Sequence, residues 1–325
     1  MKVWQVTDRG EPQQVLRLAD SELPPLGPGE LRVRVAASAL GLPDVLMCRG
    51  SYPLTPPLPF TPGQEFVGTV TAVGDGVATA VGSRVMGVSL FMLGQGSFAA
   101  ECSTYEPMIF PASAAISDVD AAGFTIAYHT AYIALVRRAK LAAGETVLVH
   151  GGAGGTGSAA IQLSKALGAT VIATASNAEK LAFCRELGAD HVIDYAQGNF
   201  VDGVLQATQG RGVDIVFDPV GGEVFENSLH CTAHEGRLLP IGFACGRWGA
   251  IAPEMLAFKN ASVIGAMPNG FSREYMLSMH EHLLQLFAQN KIRTVVERSI
   301  GFDEIGAALQ QLGERHARGR IIARH

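Results

Sequence analysis

Two rhythms of apolar and polar residues divide the chain. Up to about residue 120 the two types alternate in short runs, such as Leu31-Arg-Val-Arg-Val-Ala36 and Phe66-Val-Gly-Thr-Val-Thr-Ala-Val73, broken by Pro and Gly in SELPPLGPGE and TPPLPFTPG. Period-two alternation between turn residues predicts a mostly β domain. An alanine-rich, Pro-free stretch from Val119 to Ala142 predicts one or two helices. From Thr146 onward strands and helices alternate as in βαβ units. Strands are expected at 146–150, 170–175, 191–193, 213–218, 236–242 and 261–266, and helices at 155–168, 177–187, 199–208 and 222–232. This spacing predicts an α/β fold with a doubly wound parallel sheet. A helix at 272–290, a β-type stretch at 295–300, a helix at 302–312 and a strand at 319–323 follow. The β character of this last section predicts a return to the first domain. The expected division is therefore 1–120, 121–266 and 267–325, with the active site in a cleft between two domains.

The first strand of the alternation runs into VLVHGGAGGTGSAAIQ, which has five glycines among the seven residues Gly151 to Gly157. Gly152, Gly154 and Gly157 match Gly-x-Gly-x-x-Gly between a strand and a helix. That arrangement lets a dinucleotide pyrophosphate approach the helix start, here Gly155 and Thr156. The second strand ends at Ser176, where an NAD-specific site carries Asp or Glu for the ribose hydroxyls. An uncharged hydroxyl with Lys180 nearby favours a 2′-phosphate instead, and so NADPH. Ser176 and Glu179 also fit a capping box for the following helix.

At 325 residues, 48% hydrophobic and 17% charged, the chain can bury the cores of two domains. Its net charge of -5 and its lack of a basic cluster near the glycine run exclude a nucleic-acid footprint. No stretch is apolar enough for a membrane span, and MKVWQVTDRG does not read as a leader, so the expected location is the cytoplasm. Five scattered cysteines form neither a zinc-type pair nor a disulfide framework and read as reduced thiols.

The segments Ala39-Leu-Gly-Leu-Pro-Asp44, Arg49-Gly-Ser-Tyr-Pro53, Leu58-Pro-Phe-Thr-Pro-Gly-Gln-Glu65 and Gly82-Ser-Arg-Val85 resemble the medium-chain dehydrogenase/reductase superfamily, in its zinc-free quinone oxidoreductase branch. The likeness continues through Thr130-Ala-Tyr132, the glycine run, Leu187-Gly-Ala-Asp-His191, Asp218-Pro-Val-Gly-Gly222 and Gly319-Arg-Ile-Ile322. It implies a GroES-like catalytic domain, a Rossmann domain that binds NADPH, and a homodimer formed through the edge of the nucleotide sheet near Ala261 to Ala266. Zinc enzymes of the superfamily carry a Cys where this chain has Gly41, a His where it has Gln64 and another Cys near Ile126, so no metal is expected. Glu65 survives from that pattern, with Arg49 as its expected partner. The resemblance makes Tyr52 the donor to a substrate oxygen, and places Tyr128 and Thr130 at the domain junction as further catalytic candidates, Thr130 near the nicotinamide. Tyr195 matches a residue near the 2′-phosphate, while Asn260 and Arg315 match positions near the cofactor. The implied activity is NADPH-dependent hydride reduction of quinones or related α,β-unsaturated carbonyls, on small apolar or aromatic electrophiles. Quinone reductases of the branch commonly have Asn at Gly41. Its loss leaves open an enoyl-thioester or specific enone reductase, and beside these an NADPH-binding protein with little turnover.

Overall fold

The computed structural model describes residues 1–196, 198–314 and 317–325, which form two units, 1–126 with 294–325 and 127–293. The first unit begins with β1 (Lys2–Val6), a short helix α1 (Pro12–Val15), β2 (Leu16–Asp20), β3 (Glu30–Leu40) and α2 (Leu42–Arg49). It continues with β4 (Glu65–Val73), β5 (Arg84–Val88), β6 (Glu101–Tyr105), β7 (Ile109–Pro111) and α3 (Asp118–Ala122). Helix α4 (Thr125–Tyr132) carries the chain across the division.

The second unit holds β8 (Thr146–Val149), α5 (Gly155–Ala166), β9 (Thr170–Ala175), α6 (Ala178–Glu186), β10 (His191–Asp194) and α7 (Phe200–Ala207). Then come β11 (Val213–Asp218), α8 (Gly222–Ser228), β12 (Thr232–Pro240), α9 (Pro253–Lys259), β13 (Ser262–Val263) and α10 (Arg273–Ala288). The chain re-enters the first unit with β14 (Val296–Gly301), α11 (Ile305–Gly313) and β15 (Arg320–Arg324).

Among the described residues the second unit has a six-stranded sheet in the order β10-β9-β8-β11-β12-β13, parallel throughout. The order reverses between β8 and β11, and an open sheet of this kind binds its ligand at the carboxyl ends of the strands beside that reversal. Every residue of β8 is buried, as a central strand covered on both faces requires. Leu148, Ile172, Val216 and Leu238 pack beneath Phe200, Val204, Phe225 and Leu229 from the helices. Each such side chain contributes about 1.5–3 kcal/mol.

The first unit, again among the described residues, has a seven-stranded sheet in the order β14-β15-β3-β4-β5-β7, with β6 also paired to β3. Its larger core joins distant segments: Trp4, Val6, Leu40, Val45, Met47 and Phe60 pack with Ile300, Ile305, Leu309 and Ile321.

Three expectations change. The return to the first unit comes at Thr294 rather than at 267, because α10 belongs to the second unit. The last strand of the nucleotide sheet is only Ser262–Val263, not 261–266. Strand β12 begins at Thr232, four residues before its expected start, because a single 3-10 turn, Leu229–Cys231, ends the preceding helix.

Candidate active site

At the carboxyl end of β8 the glycine run makes a tight reversal. Gly151 has φ +57, and its carbonyl accepts the N–H of Gly154 at 2.9 Å. The left-handed residue is thus the one before the motif. A Cβ on Gly157 would stand 2.3 Å from the Gly151 carbonyl oxygen, so the third motif glycine permits helix and turn to touch. Gly154 is the N-cap of α5 in extended conformation, with no side chain capping the helix. The first N–H groups of α5, at Gly155, Thr156 and Gly157, therefore lack the usual internal acceptor, and the helix dipole adds partial positive charge there.

Two buried polar residues stand at the carboxyl ends of β8 and β11. His150 makes hydrogen bonds through Nδ1 with Thr174 Oγ1 at 3.0 Å and through Nε2 with Ser228 Oγ at 2.8 Å. Burial pushes its pKa down to about 3, so the ring is neutral and ties β8 to β9 and α8. Asp218, at the end of β11, accepts the N–H groups of Val220 and Gly221. Burial raises its carboxyl to about 6 against those bonds.

Ser176 follows the end of β9, and Tyr195 follows β10 with its N–H on the Ala175 carbonyl. Ser176, Lys180, Tyr195 and the glycine run thus share the carboxyl edge of the sheet. The cap of α6 is Asn177, whose Oδ1 accepts the Lys180 N–H at 2.9 Å, rather than the expected Ser176. The Ser176 hydroxyl is not the group used in the cap. Asn260 lies at the opposite, amino edge: it caps α9 just before β13, and its amide bonds His234 at 2.8 Å. The structure does not bring it to the glycine run. Arg315 lies outside the described residues.

Tyr128 also departs from its expected role. It is 2% exposed, its hydroxyl donates to the Arg293 carbonyl at 2.8 Å, and it accepts from Gln162 Nε2 at 3.0 Å. With its hydroxyl committed in both directions, Tyr128 is an internal tie between α4, α5 and the end of the second unit. Thr130 is half-buried two residues further along α4. His129 and His280, far apart in sequence, are buried and joined at 3.0 Å, while Tyr132 bonds His282. Among the described residues no group of three or more His, Cys, Asp or Glu could hold a metal ion.

In the first unit, buried carboxylates fix the segment around Gly41 and Gln64. Asp44 Oδ2 accepts the Gly41 N–H at 2.9 Å and its Oδ1 the Gly63 N–H at 3.0 Å. Burial pushes Asp44 up to about 7. Glu65 pairs with Arg320 of β15 and also accepts the Ile126 N–H at 2.8 Å. Burial raises it to about 6 even so. The expected partner, Arg49, instead makes a two-armed bridge to Glu11.

Tyr52 follows α2 and packs at the margin of the larger core, its carbonyl held by the Thr55 N–H and hydroxyl. Burial pushes its hydroxyl pKa up, and the neighbouring Gln64 amide opposes that shift. Phe60 and Phe91 are core residues, whereas Met92 and Leu93 are exposed. The sequence reading treated Gln64 only as a missing ligand and left Asp44 without a role. An Asp three residues after Gly41, at the start of a helix, was the signal available for Asp44.

Comparison with known proteins covers both units. Residues 27–133 match a family model described as alcohol dehydrogenase GroES-like domain, and residues 155–286 one described as zinc-binding dehydrogenase. The chain is 36% identical over 304 residues to the quinone oxidoreductase-like protein 2 homolog of Nematostella vectensis, covering 91% of this chain and 82% of the relative. Among solved structures, a mycobacterial protein complexed with NADPH superposes over the full length of both chains with TM-score 0.92 and 30% identity. The Pseudomonas syringae quinone oxidoreductase does so with TM-score 0.88 and 29% identity, covering 100% of this chain and 99% of that one.

Proposed function

Since the chain belongs to the medium-chain dehydrogenase/reductase superfamily, in its zinc-independent quinone oxidoreductase-like branch, we propose that it reduces quinones or related α,β-unsaturated carbonyls with NADPH, without a metal. The observation that carries this reading is the uncapped start of α5 beneath a turn without side chains at 151, 152, 154, 155 and 157. Such a cradle fits a pyrophosphate, whose oxygens would take the N–H groups of Gly155, Thr156 and Gly157. Ser176, Lys180 and Tyr195, on the same sheet edge, would receive the adenosine 2′-phosphate, and no carboxylate stands at Ser176 to repel it. The solved relative that contains NADPH supports the same choice.

When bound, the nicotinamide supplies a hydride to the electrophilic carbon of the substrate. The protein must then hold the substrate oxygen as it gains charge. Tyr52 is the donor proposed for that task, its proton resting on Oη until the oxygen accepts it, and Thr130 lines the nicotinamide side. A delocalised quinolate or enolate needs less electrophilic help than a simple alkoxide, which suits positions occupied by Gly41, Gln64 and Ile126 rather than by three zinc ligands. Gly41 also supports a second reading, an enone or enoyl-thioester reductase, because no amide stands there to orient a quinone oxygen. A homodimer joined along β13 and a cytoplasmic location complete the proposal. Exposed Phe258, Val263 and Met267 support the first, and five unpaired cysteines the second.

The test is NADPH oxidation by the full chain with a small quinone, a conjugated enone and an enoyl thioester. Turnover is expected with the quinone or enone. NADPH binding with no turnover on any of the three would replace the reductase by a cofactor-binding protein.

A further inference from the structure

We infer that His150, held in the tautomer with its proton on Nε2, is the positioning residue for the pyrophosphate turn of Gly151 to Gly157. The inference rests on the reading of that turn as the cradle of the NADPH pyrophosphate, and not on the substrate. It starts from a chain of hydrogen bonds with one allowed direction. Ser228 Oγ lies 2.6 Å from the Val224 carbonyl, which can only accept, so the single proton of that hydroxyl is committed there. Toward His150 Nε2, 2.8 Å away, Ser228 then has only a lone pair to offer, and the ring must donate. A neutral imidazole with its proton on Nε2 has a bare Nδ1, which accepts from Thr174 Oγ1 at 3.0 Å. Burial keeps the ring neutral.

The ring is fixed on every side. His150, Thr174 and Ser228 are all buried, and Phe200 meets the imidazole edge-on with 4.8 Å between ring centres. The same residues anchor the start of the turn. The His150 N–H donates to the Phe217 carbonyl of β11 at 3.0 Å, and two residues on the Gly152 N–H donates to the Thr174 carbonyl of β9 at 3.0 Å. Thr174 thus takes the backbone of the turn with its carbonyl and the His150 ring with its hydroxyl. Gly151 is left between two anchored residues, with φ +57 and its carbonyl on the Gly154 N–H. Glycines have no side chains with which to fix such a conformation, and they lose the most freedom in adopting it. The imidazole before them supplies the missing anchor, and so sets where the N–H groups of Gly155, Thr156 and Gly157 stand.

The test is a set of binding titrations on the full chain with NADPH and with 2′-AMP, which carries the adenosine and its 2′-phosphate but no pyrophosphate. His150→Leu removes both ring bonds and is expected to weaken NADPH about tenfold, the fold-change of one buried hydrogen bond, while 2′-AMP changes by less than about twofold. His150→Gln restores a donor for Ser228 and an acceptor for Thr174, and is expected to return NADPH to within about threefold of wild type. Equal losses for both ligands, an unmoved NADPH affinity, or a Gln variant no better than the Leu variant overturns the inference. Nitrogen NMR of the wild-type ring is expected to show a protonated Nε2 and a bare Nδ1 at neutral pH, and the opposite tautomer overturns it as well. Should His150→Leu fail to fold, Thr174→Val repeats the titrations with the shape kept and the Nδ1 partner removed. Gly157→Ala separates the inference from the reading on which it rests. If that change leaves NADPH affinity untouched, the glycine run is not the pyrophosphate site and both fall; a loss in Gly157→Ala without one in His150→Leu removes His150 alone.

Discussion

Replacing Tyr52 by Phe removes one hydroxyl and keeps the ring at the margin of the core. Turnover is expected to fall by no more than about 10²-fold, the low end for a general acid, because water can protonate a stabilised quinolate. Stopped-flow rates under hydride-limited conditions check this, with NADPH affinity as the control; an unchanged rate removes Tyr52 from the chemistry. Asp44 makes a prediction of the opposite kind, about stability. Its carboxyl is raised from 3.8 to about 7 in the fold, so between those values the folded chain holds a proton that the unfolded chain has released. The contribution is complete below pH 4 and is lost as pH climbs through 7. Asp44→Asn cannot titrate, and the advantage of wild type over it should shrink by about 3 kcal/mol between urea melts at pH 4.5 and pH 7.5. The partner of Glu65 shows what no local pattern could reveal. Arg320 is the one that meets it, from β15 at the far end of the chain. Arg49, the partner expected from sequence, is held by Glu11 instead. Tyr128 misled for a related reason: its acceptor is the Arg293 carbonyl, and backbone acceptors leave no trace in residue identity.

The element most legible in the sequence is the start of α5, because strand, glycine run and alanine-rich helix are contiguous and each constrains the next. Gly157→Ala places a methyl against the Gly151 carbonyl, and the turn has to open. Stability should fall by about 1–3 kcal/mol, and NADPH affinity should fall more than the thermal shift alone accounts for; calorimetric titration beside a melting curve separates the two. The start of α6 was half legible: the helix and Lys180 were found, but Asn177 rather than Ser176 caps it. With the Ser176 hydroxyl not used in the cap, Lys180→Ala should cost NADPH about tenfold, about 1.4 kcal/mol, and NADH almost nothing. Equal losses for the two cofactors would remove Lys180 from the phosphate site. Asn260 entered only through the family resemblance, and it caps α9 and bonds His234, a placement that no local sequence pattern marks.

For the whole molecule, the six-stranded sheet ends in β13 beside Phe258, 81% exposed, and Met267, 60% exposed. An apolar edge of this kind invites pairing, and a second copy related by a two-fold axis would cover it. Light scattering at micromolar concentration should report a dimer, and Val263→Lys with Phe258→Glu should yield monomers; a monomeric wild type would refute the interface. The two-unit division followed from the sequence because its rhythm changes from period two to helical alternation. The exact return point did not, since α10 has the same amphipathic character whichever unit receives it. That return also sets an order of synthesis. A ribosome makes Glu65 early, then the whole of the second unit, and Arg320 only after it. Until β15 emerges to slot between β14 and β3, the first sheet is open and its carboxylate waits without a cation. In chains stalled just before Arg320, protease should therefore spare the second unit and cut the first, so the codons that follow the second unit decide when the older half of the protein can close.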